Sequence, residues 1–250
     1  MTVRWLTAFL DLPASSAAAA TDFWLAVTGS SLSPRRGVFD EFATLRPPDG
    51  DAYLRVQTVT GGPGGCHLDL HVDDVDTGAM RALEAGATID LAQIGLVVLR
   101  SPAGFPWCLV GHHGEARRPA PVSWGAHRSL VDQVCLDIAP EVYDEEARFW
   151  ARLTGWERRT GSRPEFEYLV RPEGMPLRLL LQRLEREPAV ARCAAHLDLA
   201  TDDVDAEVRR HLGLGAVEVR RTPDWVTLRD PAGREYCVTR RSPDDGLLAG

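Results

Sequence analysis

Lysine and asparagine are missing from the chain, and all 28 of its basic residues are arginine. That bias reflects coding in a GC-rich genome rather than chemistry, and no function follows from it. An excess of positive charge is missing too. With 36 acidic residues the net charge is −8, which disfavours a nucleic-acid backbone or an anionic membrane surface as the main partner and leaves a small molecule as the default. No apolar run approaches the roughly 20 residues that cross a bilayer, so no membrane span is expected. The five cysteines, Cys66, Cys108, Cys135, Cys193 and Cys237, are odd in number and lack a CxxC pair. They read as reduced thiols of a cytoplasmic protein rather than a disulfide framework, most of them acting as small buried hydrophobes. No GxGxxG, Walker loop, HExxH or GxSxG stands out, so nucleotide binding and the familiar hydrolases find no support.

What is present is a folded chain of ordinary composition, 44% apolar and 26% charged over 250 residues, long enough for one large or two ordinary domains. Arg4 followed by "WLTAFLDLPASSAAAA" loosely imitates a secretory signal, but Asp11 and Pro13 interrupt the apolar run. The segment "FLDLPASSAAAATDFWLAVTG" also has a counterpart deep in the chain, "CLDIAPEVYDEEARFWARLTG". The N-terminal stretch is therefore read as mature structure.

That counterpart is one of several. Phe23-Trp24 recurs 126 residues on as Phe149-Trp150, and each pair leads into Thr28-Gly29 or Thr154-Gly155. "CHLDLHVDD" from Cys66 recurs as "AHLDLATDD" from Ala195, Gly86-Ala87 as Gly215-Ala216, and "LRSPAG" from Leu99 as "LRDPAG" from Leu228, all at an offset of 129. A repeat of this length makes the chain a tandem duplication. The expected division is a first domain over 1–115, a linker over 116–127 and a second domain over 128–250.

Each half reads as two smaller units. Val3 to Leu12 is strand-like; Pro13 stops it, Ser15 or Ser16 can cap, and Ala17 to Val27 makes a helix that ends at Gly29. Strands follow over Phe42 to Arg46 and Ala52 to Val59, with a further short strand before Asp40. A "GGPGG" hinge at 61–65 opens the next unit. There "CHLDLHV" is a strand, Asp73 or Asp74 caps a helix through Ala85, Gly86 ends it, and strands fall near 87–90, 95–100 and 105–110. The second half repeats the order. The predicted class is α+β, four βαβββ units in one chain, with Trp24 and Trp150 as core anchors.

Strand period then places the repeated histidine. Alternate side chains face opposite ways, so Leu68, Leu70 and Val72 share one face beneath the helix while His67, Asp69 and His71 share the other. His196 and Asp198 keep that second face in the copy, with Ala200 in third place. A polar row needs water, a ligand or a partner group, and a solvent-lined cleft is the expected answer. His67-x-Asp69-x-His71 offers a chelate along that row, although His67 and Asp69 also suit mutual hydrogen bonding with no chemistry. Arg100 and Arg229 suit surface ion pairs, and His112 and His113 are expected in solvent.

Paired βαβββ units, the "HLDL" strand entering "DD" and a helix, the Gly-Ala helix exit and the "DPAG" turn before the last strand together resemble the vicinal oxygen chelate superfamily. That superfamily includes glyoxalase I, bleomycin-resistance proteins and extradiol dioxygenases. "LRVQTV" and "LLLQRL" ahead of the two "HLDL" strands look like the bacterial glyoxalase-like domain group. The resemblance implies incomplete barrels around a cleft in each half, with the halves paired as a pseudo-dimer in a monomer, or as a homodimer.

It also implies where ligands of a divalent zinc, nickel or iron ion would sit. Thr7 and Gln133 lie on the first strands, Gln57 and Gln182 on the strands that end the first units, and His67 and His196 on the "HLDL" strands. Cys108 and Cys237 stand on the final strands, where metal-using relatives commonly carry Glu. The best metal set is Gln133, His196 and Glu235 or Cys237. His67, His196, Asp69 and Asp198 are the candidate catalytic groups, and Gln57, Gln182, His71 and Cys108 the candidate cleft lining. The implied activity is lyase or isomerase chemistry on a small oxygenated substrate. The competing reading is a metal-free binder that sequesters a drug or metabolite, as bleomycin-resistance proteins do.

Overall fold

A computed structural model describes residues 1–186 and 191–248. The first half runs β1 (Val3–Pro13), α1 (Ala17–Thr28), β2 (Ser31–Leu32), β3 (Phe42–Arg46) and β4 (Leu54–Val59), then β5 (Gly65–Val72), α2 (Val75–Ala85), β6 (Thr88–Gln93), β7 (Leu96–Arg100) and β8 (Pro106–Gly111). After the short β9 (Val122–Ser123) the order repeats as β10 (Arg128–Ile138), α3 (Tyr143–Thr154), β11 (Arg158–Thr160), β12 (Phe166–Leu169) and β13 (Arg178–Arg183). It closes with β14 (Cys193–Thr201), α4 (Val204–Gly213), β15 (Val217–Arg221), β16 (Trp225–Arg229) and β17 (Glu235–Thr239). The strand orders are β2-β3-β4-β1-β5-β8-β7-β6 and β11-β12-β13-β10-β14-β17-β16-β15, with β9 pairing β10. These are two open sheets, each made from a pair of βαβββ units.

Turn chemistry explains most of the boundaries. Asp74 caps α2 by accepting from the Thr77 N–H at 3.0 Å, and Asp203 caps α4 by accepting from the Ala206 N–H at 2.9 Å; each satisfies a donor that the first helical turn leaves unpaired. Gly86 ends α2 at φ 111°, a left-handed conformation that a Cβ would strain. Gly64, itself at φ 75°, also serves close approach, because a Cβ there would meet the Asp11 carbonyl oxygen at 2.1 Å. One expectation fails at α1, where the Ser16 hydroxyl donates back to the Pro13 carbonyl at 3.3 Å and caps no helical N–H. An alanine-rich first turn and the buried face of Ala17, Ala20, Phe23, Trp24 and Val27 hold that helix without a cap.

Packing divides the chain differently from its repeats. One compact unit comprises 1–9, 66–117 and 134–195, and the other comprises 10–65, 118–133 and 196–250. Each unit therefore takes one βαβββ module from either half, and β1 and β10 each pass from one unit to the other.

In the first unit Trp107 and Trp150 meet edge to face at 5.7 Å, with Phe105 and Phe149 around Trp150. The Trp150 indole N–H donates to Glu146 Oε1 at 2.8 Å, and the Ala103 N–H donates to Glu146 Oε2 at 2.9 Å. In the second unit Trp24 packs on Tyr236 at 5.0 Å and its indole N–H donates to Asp230 Oδ2 at 2.9 Å. The tryptophan needs an acceptor in both units, but the carboxylate comes from α3 in one and from the "DPAG" turn in the other. Ser101 and Ala20 stand at the positions that lack it.

Candidate functional site

Parallel pairing sets the repeated polar face. β5 runs beside β8 with Asp69 opposite Cys108, and β14 runs beside β17 with Asp198 opposite Cys237. A histidine two residues before each aspartate shares its face. His67, Asp69 and Cys108 gather in the first unit, and in the second His196 contacts Asp198 on one side and Cys237 on the other.

The row is not the solvent-lined one expected. Asp69 and Asp198 are only 4% and 3% exposed and His71 only 1%. Their partners come from neighbouring strands and the segment after β8, which strand alternation alone does not reveal. In the first unit the donor atoms of His67, Asp69 and Cys108 lie within 4.8 Å of one another. His67 is half-buried, its ring stacked on Phe9 at 4.3 Å and 15°.

The second unit is more closely specified. His196 Nε2 stands 3.3 Å from Asp198 Oδ1 and 3.7 Å from Cys237 Sγ. The Gln133 amide donates to Asp198 Oδ2, and Thr227 Oγ1 lies 3.6 Å from Cys237 Sγ. Nearby, the buried Arg241 guanidinium grips Asp132 through two hydrogen bonds of 2.8 and 2.7 Å. Burial by itself would raise the Asp198 carboxyl, but the hydrogen bond and charge of His196, the Arg241 charge and the Gln133 amide outweigh it. Asp198 is therefore held below the usual carboxylate range and is ionised. Burial pushes the Cys237 thiol up, against the opposing pull of His196, so the thiol is protonated at neutral pH.

Among the proposed metal ligands, Gln133, His196 and Cys237 come together around Asp198, and Glu235 does not join them. Glu235 is exposed at the start of β17, opposite Arg229, and pairs with that guanidinium at 2.9 Å. An opposite-charge cross-strand pair holds it on the outer surface. Arg100 likewise pairs with Asp90 at 2.7 Å.

Of the expected lining residues, Gln57 is half-buried on β4 opposite Phe42. Gln182 on β13 accepts from the Cys135 thiol at 3.5 Å. Buried Cys108 belongs to the first triad, and Thr7 Oγ1 bonds His71 Nε2 at 2.9 Å. His112, expected in solvent, is instead largely buried 3.3 Å from Glu115 Oε2. The short segment after β8 folds back, so its linker-like composition misled. Arg241, Asp132 and Thr227 carried no signal in the sequence, because their importance lies in pairings across strands far apart in the chain.

The donor chemistry fits a divalent cation. Imidazole, carboxylate and cysteine sulfur are ordinary ligands of zinc and other first-row ions. Asp198 Oδ1 is a buried carboxylate oxygen that faces the His196 nitrogen at 3.3 Å. No helix among the described residues is long and apolar enough to cross a membrane.

A family model described as a glyoxalase-like domain matches the chain twice, over residues 7–110 and 133–239. No curated protein matches the sequence. Solved structures share the fold at low identity. A variant of 4-hydroxymandelate synthase from Streptomyces coelicolor aligns with TM-score 0.60 at 15% identity, over 98% of this chain and 95% of that one. A catechol 2,3-dioxygenase aligns with TM-score 0.58 at 16% identity, over 100% and 96%. The Mn(II)-bound glyoxalase from Novosphingobium aromaticivorans aligns with TM-score 0.60 at 16% identity, over 99% and 85%. With both repeats matched and the fold shared with dioxygenases and glyoxalases, the chain belongs to the glyoxalase-like domain family of the vicinal oxygen chelate superfamily and carries that domain in tandem.

Proposed function

We propose that this is a small-molecule protein of the glyoxalase type whose second repeat holds a divalent zinc, nickel or iron ion at His196, Asp198 and Cys237 and acts as a lyase or isomerase on a small oxygenated substrate. The observation that carries the reading is the buried Asp198 carboxylate 3.3 Å from the His196 nitrogen, with the Cys237 thiol 3.7 Å from that same nitrogen. Such an ion supplies a Lewis acid that polarises a substrate oxygen. Gln133 fixes the carboxylate through its other oxygen, the outer hydrogen bond that orients a ligand. His196, at 17% side-chain exposure, is the member of the set most open to solvent, and it would hold the ion on the side from which a substrate enters. The corresponding His67, Asp69 and Cys108 give the first repeat a second, similar centre. The net negative charge favours a soluble metabolite over nucleic acid or membrane, in a cytoplasmic monomer with an internal pseudo-dimer or in a homodimer.

A metal-free binder is the second reading. It is favoured by the protonated Cys237 thiol and by the hydrogen bond that Gln133 already supplies to Asp198. Calorimetric titration of zinc, nickel and ferrous iron into wild type and His196→Ala separates the two. The metal reading expects a binding equivalent that His196→Ala weakens at least tenfold with the fold intact. Titrations that leave wild type and variant indistinguishable would favour the binder and direct a thermal-shift screen of small molecules.

A further inference from the structure

A different cluster stands at the far end of the same strand. His71 lies four residues beyond His67 on β5, roughly 13 Å along a strand. It meets His112 and Glu115 from the "GHHGE" segment that follows β8, all within the first compact unit. His71 Nδ1 is 3.7 Å and His112 Nδ1 3.3 Å from one atom, Glu115 Oε2, which also accepts the His113 backbone N–H at 3.2 Å. The donor atoms of the three side chains lie within 4.8 Å of one another.

Two features make this more than a chance meeting of polar side chains. The first is orientation: Thr7 Oγ1, fully buried, bonds His71 Nε2 at 2.9 Å. That contact turns Nδ1 toward Glu115, the outer-partner arrangement found behind metal-binding imidazoles. The second is an unmet group. His112 Nδ1 is buried without a directed hydrogen bond, although it faces the carboxylate. Two ring nitrogens converging on one carboxylate oxygen also form the arrangement in which three ligands surround one cation. Tetrahedral ligands at about 2.0–2.1 Å from an ion stand roughly 3.3–3.4 Å apart, close to the spacings seen.

We infer that His71, His112 and Glu115 form a separate site for a first-row divalent cation, of zinc-like preference, independent of the two His–Asp–Cys centres. His112 and Glu115 are 15% and 21% exposed at their side chains, so the site opens to solvent on one side. Binding there fastens the segment after β8 onto β5. Two imidazoles and a carboxylate without sulfur suit zinc, cobalt or ferrous iron rather than a soft ion.

Cobalt(II) distinguishes this site from the others, since only a cysteine-containing site gives a near-ultraviolet thiolate-to-cobalt band. The full chain carrying His67→Ala and His196→Ala serves as parent and is titrated with cobalt(II), with circular dichroism as the check on folding. The expected result is one cobalt equivalent with visible d–d absorption and no thiolate band, its affinity falling at least tenfold on adding either His112→Ala or Glu115→Gln. A parent that binds no cobalt, or added substitutions that leave its affinity unchanged, would overturn the inference. The same two substitutions in the otherwise unmodified chain repeat the test where the parent folds poorly: they should remove one sulfur-free equivalent, and its retention is contrary. The metal reading of His196 stands or falls on its own variant, so the two failures are told apart.

Discussion

Glu146 and Asp230 show how a single side chain carries a buried requirement. Each accepts an indole N–H from a fully buried tryptophan, and Glu146 also accepts the Ala103 N–H. Glu146→Ala removes the acceptor for two buried donors, so a loss of about 1–3 kcal/mol is expected in urea unfolding. Adding Ser101→Asp copies the arrangement of the other unit and should return part of that loss. Glu207 makes a pH-dependent case. Burial works to raise its carboxyl, but hydrogen bonds from Arg210 and His211, at 2.8 and 3.1 Å, and their charges hold it far below the usual range. A carboxylate depressed in the folded state stabilises the protein above its unfolded value of about 4.3, and that stability is lost as pH falls toward the folded value. Urea midpoints should therefore decline below about pH 5, and Glu207→Gln should flatten that decline. The His and Asp of "HLDL" were readable because strand alternation puts them on one face. Glu115, Arg241 and Thr227 were not, since their partners lie outside any local pattern.

Helices and strands were largely foreseen where local chemistry decides them. β3 spans the expected residues, α1 and α2 end at the glycines chosen, and Asp74 rather than Asp73 proves to be the cap. The misses have local causes as well. Ser16 turns its hydroxyl toward Pro13, and Glu235 stands at a strand start where Arg229 claims it. Asp74→Ala should cost about 0.5–2 kcal/mol by removing a cap. Ser16→Ala should stay within about 0.5 kcal/mol, because no helical N–H depends on that hydroxyl. Thermal melts of the two variants check the contrast directly.

The repeats were plain in the sequence, yet the compact units are not the repeats. Periodicity records duplication, whereas packing depends on which module a helix covers, and no local signal carries that choice. Trp24 of the first half finds Asp230 and Tyr236 in the second, and Trp150 of the second finds Trp107 in the first. Fragments 1–115 and 128–250 expressed separately should therefore expose these aromatics and aggregate or stay unfolded, and co-expression should restore a soluble pair. Two fragments that each melt cooperatively alone would contradict this.

The most direct measurement is the number of protons released when zinc binds, taken by calorimetry in buffers of different ionisation enthalpy for wild type and Cys237→Ser. A buried thiol that is protonated without metal must lose its proton to become a ligand, so the His196–Asp198–Cys237 centre predicts about one more proton released by wild type than by the variant. Equal proton release with unchanged affinity would remove Cys237 from the centre and contradict the proposed site.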